Sequence, residues 1–444
     1  MIGKIEMNPQ LEMFKVPLKH FINEKHELVS LSRKINWEQL ESELSIFYCE
    51  DNGRPGIPIR TIAGIVLLKR IFDESDESVL DRWVENPYWQ YFCGEVYFNH
   101  QLPFDRTELI KFRNRIGEQG AEKLLKMSVQ LFGKKEIQED EVLIDTTVQE
   151  KNITYPTDAK LQKKIIEKCR KIACKERIQL RQSYVRELKQ LMIDQRFHNH
   201  PRRMKKARAA ARRIKVIAGR VVRDIERKMN NAQREKYAPR IDIFNKILAQ
   251  KKNSSNKIYS IHQPHVKCIA KGKEAKKFEF GNKSSIVKTL KSGIIVGAMA
   301  FIENIYDGDT LQPQLEQTER ITQHKPKVGI VDRGYKGRKI VNGVQILIPT
   351  KLPASASNYQ KQKIRKRFRA RAGIEPIIGH LKKDHRMSIN YLLNEQGDLV
   401  NTLLAAAGFN LRKMLQRLKA EALNIFVQIF RHTFFPIWNQ RFAA

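Results

Sequence analysis

This sequence contains no run of about 18 apolar residues, so no segment reads as a bilayer-spanning helix. The longest candidate, Gly293 to Ile302, has the length of a strand. Its start lacks the charged, apolar and small-residue pattern of a secretory signal, and the expectation is a cytoplasmic protein. No Gly-x4-Gly-Lys-Ser/Thr loop occurs, which argues against ATP hydrolysis. Cysteine is sparse. The five (Cys49, Cys93, Cys169, Cys174, Cys268) are odd in number and form no Cys-x2-Cys pair, so they read as reduced thiols. Cys169, Cys174 and a nearby His lack the usual spacing of a zinc site.

Acidic residues are also in short supply: 48 Asp and Glu face 83 Lys and Arg, for a net charge of +35. A field of that size favours polyanions, and phosphate neutralisation supplies most non-specific nucleic-acid affinity. The charge is concentrated. Residues 160–257 hold 31 Lys and Arg against 8 Asp and Glu, a local excess of 23. Gly219 is the only glycine there, Pro201 and Pro239 stand far apart, and Ile165, Ile172, Ile178, Leu188 and Leu191 recur at helical intervals. The pattern predicts two long helices broken at His198-Asn199-His200-Pro201, with a shorter one after Pro239. A helix of about 38 residues would reach roughly 57 Å. The charge imbalance favours contact with DNA or RNA over a merely solvated coiled-coil arm.

Residues 1 to about 130 read as helical, with turns at Gly53-Arg54-Pro55 and Asn86-Pro87. Ser75 and Ser78 start a helix whose early acids, Asp76 and Glu77, suit its positive end. The aromatics from Trp83 to Phe98 read as a hydrophobic core rather than a base-stacking platform. Arg106, Lys111, Arg113 and Arg115 follow on a helix, either touching phosphates or solvated. Strand-like segments begin at Val142 and resume at Ile258-Tyr259-Ser260-Ile261, Phe278-Glu279-Phe280, Gly293 to Ile302, Val328 to Val331 and Val344 to Ile348. Past Leu399 an alanine-rich helix runs to about Leu418. An aromatic tail, Phe426 to Phe442, is expected to pack on the core or on a second copy of the chain.

Three acids stand in matched settings. Asp145 closes the apolar run Val142-Leu143-Ile144, and Asp332 closes Val328-Gly329-Ile330-Val331. Such runs read as buried strands, and their carboxyl ends form the rim where open α/β sheets bind ligands. Glu375 lies in the stretch Phe368-x2-Arg371-x3-Glu375-x6-Lys382. On one helix, with Arg371 at zero, Glu375 falls near 40°, Lys382 near 20° and Phe368 near 60°. That face presents a carboxylate for a metal, two cations for phosphate and an aromatic for packing or stacking. Pro376 is in tension with a continuous helix: either the helix kinks there, or a new one begins near Glu375. Mg²⁺ takes few protein carboxylates plus substrate oxygens, and two such ions can serve both attacking and leaving oxygens. The expectation is that Asp145 bridges two ions, with Asp332 on one and Glu375 on the other. His262-x2-His265 and His380-x4-His385 lack a convincing partner set. Asp307 and Asp309 read as turn formers, and are the first substitutes should one of the three acids fail.

With these residues in hand, the chain resembles the DDE transposases of bacterial insertion sequences, in the IS-five family, over nearly its whole length. Gly53-Arg54-Pro55, Ser75-Asp76-Glu77 and Trp83 through Gln90 resemble that family's N-terminal helical domain. Ile144-Asp145-Thr146-Thr147-Val148-Gln149-Glu150 resembles its first catalytic strand, and Val331-Asp332-Arg333-Gly334-Tyr335 its second. Arg371, Glu375 and Lys382 match its Tyr-x2-Arg-x3-Glu-x6-Lys signature, with Phe368 replacing the tyrosine and removing a hydroxyl.

The resemblance implies an α/β protein with an RNase H-like mixed-sheet core, over 131–158 and 258–392. Around it lie an N-terminal helical DNA-binding domain (1–130), a basic helical insertion (159–257) and a helical tail (393–444). It implies catalytic and metal-binding roles for Asp145, Asp332 and Glu375, two Mg²⁺ ions with Mn²⁺ as a substitute, and DNA or phosphate contacts from Arg333, Phe368, Arg371 and Lys382. Its partners would be the element ends and target DNA, bound by a homodimer or larger assembly near the nucleoid, with no membrane and no ATP. Two competing readings are a non-enzymatic DNA-binding protein descended from a transposase and a metal nuclease that hydrolyses without joining.

Overall fold

The computed structural model describes Gly3 and residues 15–49, 56–251, 253–270, 277–349 and 357–434, the side chains of Lys363 and 424–434 excepted. Gly53-Arg54-Pro55 and the end of the aromatic tail lie outside them. Among the described residues the strands are β1 (Glu141–Lys151), β2 (Lys267–Ala270), β3 (Phe278–Thr289), β4 (Ile295–Phe301), β5 (Val328–Ile330), β6 (Ile340–Val341), β7 (Val344–Leu347) and β8 (Ile389–Asn390). Two compact units form, one from Met1–Glu150 with Lys283–Ala444 and the other from Lys151–Asn282. No described helix is long and apolar enough to cross a membrane.

The first unit is a mixed sheet wrapped by helices. Its strand order is β4-β3-β1-β5-β7-β6, with β8 also pairing with β1. β5 runs parallel to both β1 and β7, whereas β4 is antiparallel to β3 and β6 to β7. Val142, Leu143 and Ile144 are almost fully buried, as a central strand covered on both faces requires. The helical segments at the two ends of the chain do not stand apart. Leu31, Trp83, Trp89, Phe92 and Phe112 share one core with Ile144, Val296, Leu404 and Leu411. Trp83, Trp89 and Phe92 are therefore core residues.

Asn86 caps the helix Pro87–Phe92, accepting from the N–H groups of Tyr88 and Trp89, with Pro87 at the first position. Ser75 and Ser78 do close a reciprocal cap. Asp76, however, serves no helix end: it takes a bidentate contact from Arg113 at 2.8 and 2.7 Å and another from Lys69 at 2.5 Å. Arg106 pairs with Glu77, Lys111 with Glu108, and Arg115 lies over the Tyr48 ring.

The second unit corrects the expected arm. Its described helices are Asp158–Lys175, Val185–Gln195, Met204–Lys228 and Asn231–Ala249. They enclose their own core of Leu161, Ile165, Ile214, Ile217, Val221 and Phe244, so a small bundle stands where two extended helices were predicted. The break near Pro201 is present, but Pro239 lies inside the last helix. Ile258–Ile261 is not a strand. Gln250 binds both the N–H and the carbonyl of Ile258, and Ile261 joins the helical core. The strand follows instead at β2, antiparallel to the start of β3.

Candidate active site

The β1–β5 ladder pairs Glu141 with Val328, Val142 with Gly329 and Leu143 with Ile330. Two residues beyond the last rung stand Asp145 and Asp332, at the same level of neighbouring strands. Because side chains alternate, each projects from the face that bears Leu143 and Ile330. Asp145 Oδ1 accepts from the N–H of Thr146 at 2.8 Å, and Asp332 Oδ1 accepts from the N–H of Gly334 at 2.8 Å. The Asp332 contact caps the turn Arg333–Tyr335. Both Oδ2 atoms approach one cation, Arg371 Nη2, at 3.9 Å each. One guanidinium thus lies between two carboxylates that would otherwise repel. Its Nε is buried without a hydrogen-bond partner.

Arg371 ends the helix Asn358–Arg371, which Ser357 and Gln360 cap reciprocally and which Arg367 ties to Glu141 of β1. After Ala372 and Gly373 a second helix, Ile374–Asp384, begins. Pro376 falls in its first turn, where a missing N–H costs nothing. The single continuous face predicted for Phe368, Arg371, Glu375 and Lys382 is therefore divided. Glu375 and Lys382 still lie about 20° apart on one helix, being seven residues apart. Glu375 is exposed and Lys382 half-buried. Phe368 packs with Leu143, Ile330 and Ile374, and so anchors the helix. Arg333 is exposed beside Asp332.

Asp307 also lies close to this edge. In the turn Asp307–Thr310, its Oδ1 accepts from Thr146 Oγ1 at 2.9 Å and meets Lys283 Nζ at 2.8 Å. A Cβ on Gly334 would fall 2.9 Å from Asp332 Oδ1 and 3.3 Å from Asp307 Oδ2, which accounts for glycine there. Asp309 instead pairs with Arg338 at 2.5 Å. The Tyr335 hydroxyl is buried and makes no well-formed hydrogen bond. Burial, then the charges of Asp145 and Asp307, hold its pKa well above the ordinary phenol value. The sequence places this tyrosine in the motif Val331-Asp332-Arg333-Gly334-Tyr335 but gives it no role of its own.

The histidine pairs serve elsewhere. His385 Nδ1 contacts the Arg70 carbonyl, and burial lowers its pKa to about 4; His380 pairs with Asp384. His262 contacts Ser260 Oγ at 3.0 Å. Among the described residues, no three acids, histidines or cysteines gather closely enough to hold a metal. The carboxylate oxygens turned toward Arg371 are nonetheless the hard donors that a divalent cation prefers, and they already share one cation.

Comparison with known proteins finds two family matches along the chain. Residues 16–115 match the family described as a transposase domain (DUF772), and residues 254–406 match the transposase DDE domain. The second match includes Asp332, Arg371, Glu375 and Lys382, while Asp145 precedes it and meets Asp332 and Arg371 through the sheet and the shared guanidinium. An uncharacterized protein, ORF8 of the nfe locus in Rhizobium meliloti, is 40% identical over 195 residues, 43% of this chain and 94% of that protein. No solved structure matches the chain. A basic chain with two transposase segments, the second holding an acid at a strand end, belongs to the proteins that carry the transposase DDE domain.

Proposed function

We propose that this protein is the transposase of a bacterial insertion sequence of the IS-five family, cutting at terminal inverted repeats and joining the freed 3′-OH ends to target DNA. The observation that carries the reading is the pair Asp145 and Asp332, level on adjacent strands and sharing one guanidinium, in a chain with transposase DDE similarity. The strand order β4-β3-β1-β5-β7, antiparallel at β4–β3 and parallel from β1 to β7, supports an RNase H-like core.

Asp145 and Asp332, with Glu375 from the adjoining helix, would hold two Mg²⁺ ions, for which Mn²⁺ can substitute. Ions bound there supply polarisation of the phosphoryl group and activation of the attacking oxygen. The chain's own cations do the positioning. Arg371 and Lys382 engage phosphate oxygens next to the carboxylates, and Arg333 offers another contact from its exposed turn. Phe368 keeps the Arg371 helix seated on Leu143 and Ile330. The working form on DNA is a homodimer or larger.

Glu375→Gln tests the reading in a Mg²⁺-dependent assay on labelled element ends, scored for nicks and for strand-transfer products. The variant should bind the ends normally and lose cutting and joining together. Joining that persists would remove Glu375 from the site and direct attention to Asp307. A wild-type protein that cuts without joining is a hydrolytic nuclease, and one that binds without cutting is a DNA-binding protein only.

A further inference from the structure

The helix Met204–Lys228 divides its two sides sharply. With Arg212 at zero and about 100° per residue, Ala210, Ile214, Ile217, Val221 and Ile225 cluster around 180°, and all are buried. Lys205, Arg208, Arg212, Lys215, Arg220 and Arg223 fill a sector of about 140° on the opposite side, and all are exposed. None of the six makes an ion pair among the described residues. The cations beside the sector are different: Lys206 pairs with Asp194 and Arg213 with Glu187. The helix's two acids are also engaged inside this unit. Asp224 accepts from the N–H of Arg181 and meets Lys228, and Glu226 accepts from Asn245. Glu226 falls within the same sector past Arg223, where its carboxylate is engaged by Asn245, so from Lys205 to Arg223 the face carries cations without an acid among them.

Its composition narrows the partner. The helix contains no Asn, Gln, Ser, Thr or aromatic residue. Single-stranded nucleic acid is held largely by aromatic stacking, which this face lacks. Asn and Gln, which pair with adenine edges, are missing too. Arg and Lys also pair with guanine edges, but a row of cations along one helix face matches first the continuous charge of the phosphates. Arg208 to Arg223 spans about 22 Å of helix, along which duplex DNA presents a charge roughly every 1.7 Å.

We propose that this face is a rail for the sugar-phosphate backbone of duplex DNA, indifferent to base sequence. It rests on no part of the catalytic reading, because a rail would serve a nuclease or a pure DNA-binding protein equally well.

The experiment measures binding of the full chain to an unrelated duplex of about 30 base pairs across a salt series. Replacing Arg208, Arg212, Lys215 and Arg223 with Gln should lower the slope of log affinity against log salt by roughly 3.6, about 0.9 per lost contact. The pair Arg212→Gln with Lys215→Gln should give about half that change, which keeps the test open if the fourfold variant folds poorly. An unchanged slope in a folded variant overturns the proposal. So does an equal loss from neutralising Lys171, Lys189, Arg240 and Lys251, exposed cations elsewhere in the same unit, since charge rather than position would then matter. A loss confined to single strands overturns the duplex assignment.

Discussion

Asp145 and Asp332 lie level on paired strands, each two residues past the rung that joins Leu143 to Ile330. Each spends Oδ1 on a main-chain N–H and turns Oδ2 to the same nitrogen of Arg371. On the proposed two-metal reading the arginine competes with a divalent cation for this pair, so removing it should have opposite effects on two measurements. Arg371→Gln should tighten Mn²⁺ binding by roughly tenfold in calorimetry without DNA, because a competing positive charge is gone. It should also slow cleavage by about ten- to a hundredfold, the worth of a charge-assisted phosphate contact of about 1.5–3 kcal/mol. Unchanged metal affinity would mean that the guanidinium does not screen the pair.

Tyr335 carries a buried hydroxyl without a well-formed partner, and leaving such a group unsatisfied costs about 1–3 kcal/mol. Tyr335→Phe should therefore keep or raise the melting temperature. Because burial and the nearby carboxylates raise the phenol's pKa, its ionisation should add no limb to a pH–rate profile below pH 10. A variant that melts several degrees lower would show that Thr146 accepts or donates a bond there.

Phe368 stands where the signature has tyrosine, yet its ring packs on Leu143, Ile330 and Ile374. Phe368→Ala should cost roughly 2 kcal/mol in denaturant unfolding, below the range for a fully buried Phe. DNA affinity measured well inside the folded range should change little. A large affinity loss at unchanged stability would restore the phosphate or stacking role.

Asp76 neutralises two buried cations, Lys69 and Arg113. Burial alone would raise its pKa, but the Arg113 hydrogen bonds and the Lys69 charge outweigh that and lower it. The contribution to stability is present above the unfolded carboxyl value of about 3.9 and drains away as pH falls below it. Asp76→Asn should cost about 3–5 kcal/mol at pH 7, since it leaves buried charge unpaired. The variant should also lose the wild type's extra steepness in acid unfolding between about pH 4 and pH 2. Equal melting of the two proteins at pH 7 would refute this account.

Much of the site was readable because the relevant signals are local. A short apolar run ending in an acid marks where the β1–β5 ladder stops, just before Asp145 and Asp332, although β1 itself runs on to Lys151 and so Asp145 does not close its strand. Pro376 likewise signalled a disturbed helix, kinked or restarted near Glu375, and the structure has the restart, with the proline in a first turn. Charge is additive, so the concentration between 160 and 257 could be counted directly.

What the tertiary structure decided depends on partners distant in sequence. Asp76 looks like a helix-end acid until Arg113 is folded against it. The basic segment looks like long solvated helices until Ile165, Ile214 and Phe244 meet in one core, because periodicity tells which face is apolar but not what covers it. The sequence by itself determined the chain's polyanion-seeking charge and the apolar runs that precede Asp145 and Asp332. Only the fold decided that one arginine would stand between Asp145 and Asp332, because that contact joins a helix end to the edges of two strands that lie far apart along the chain.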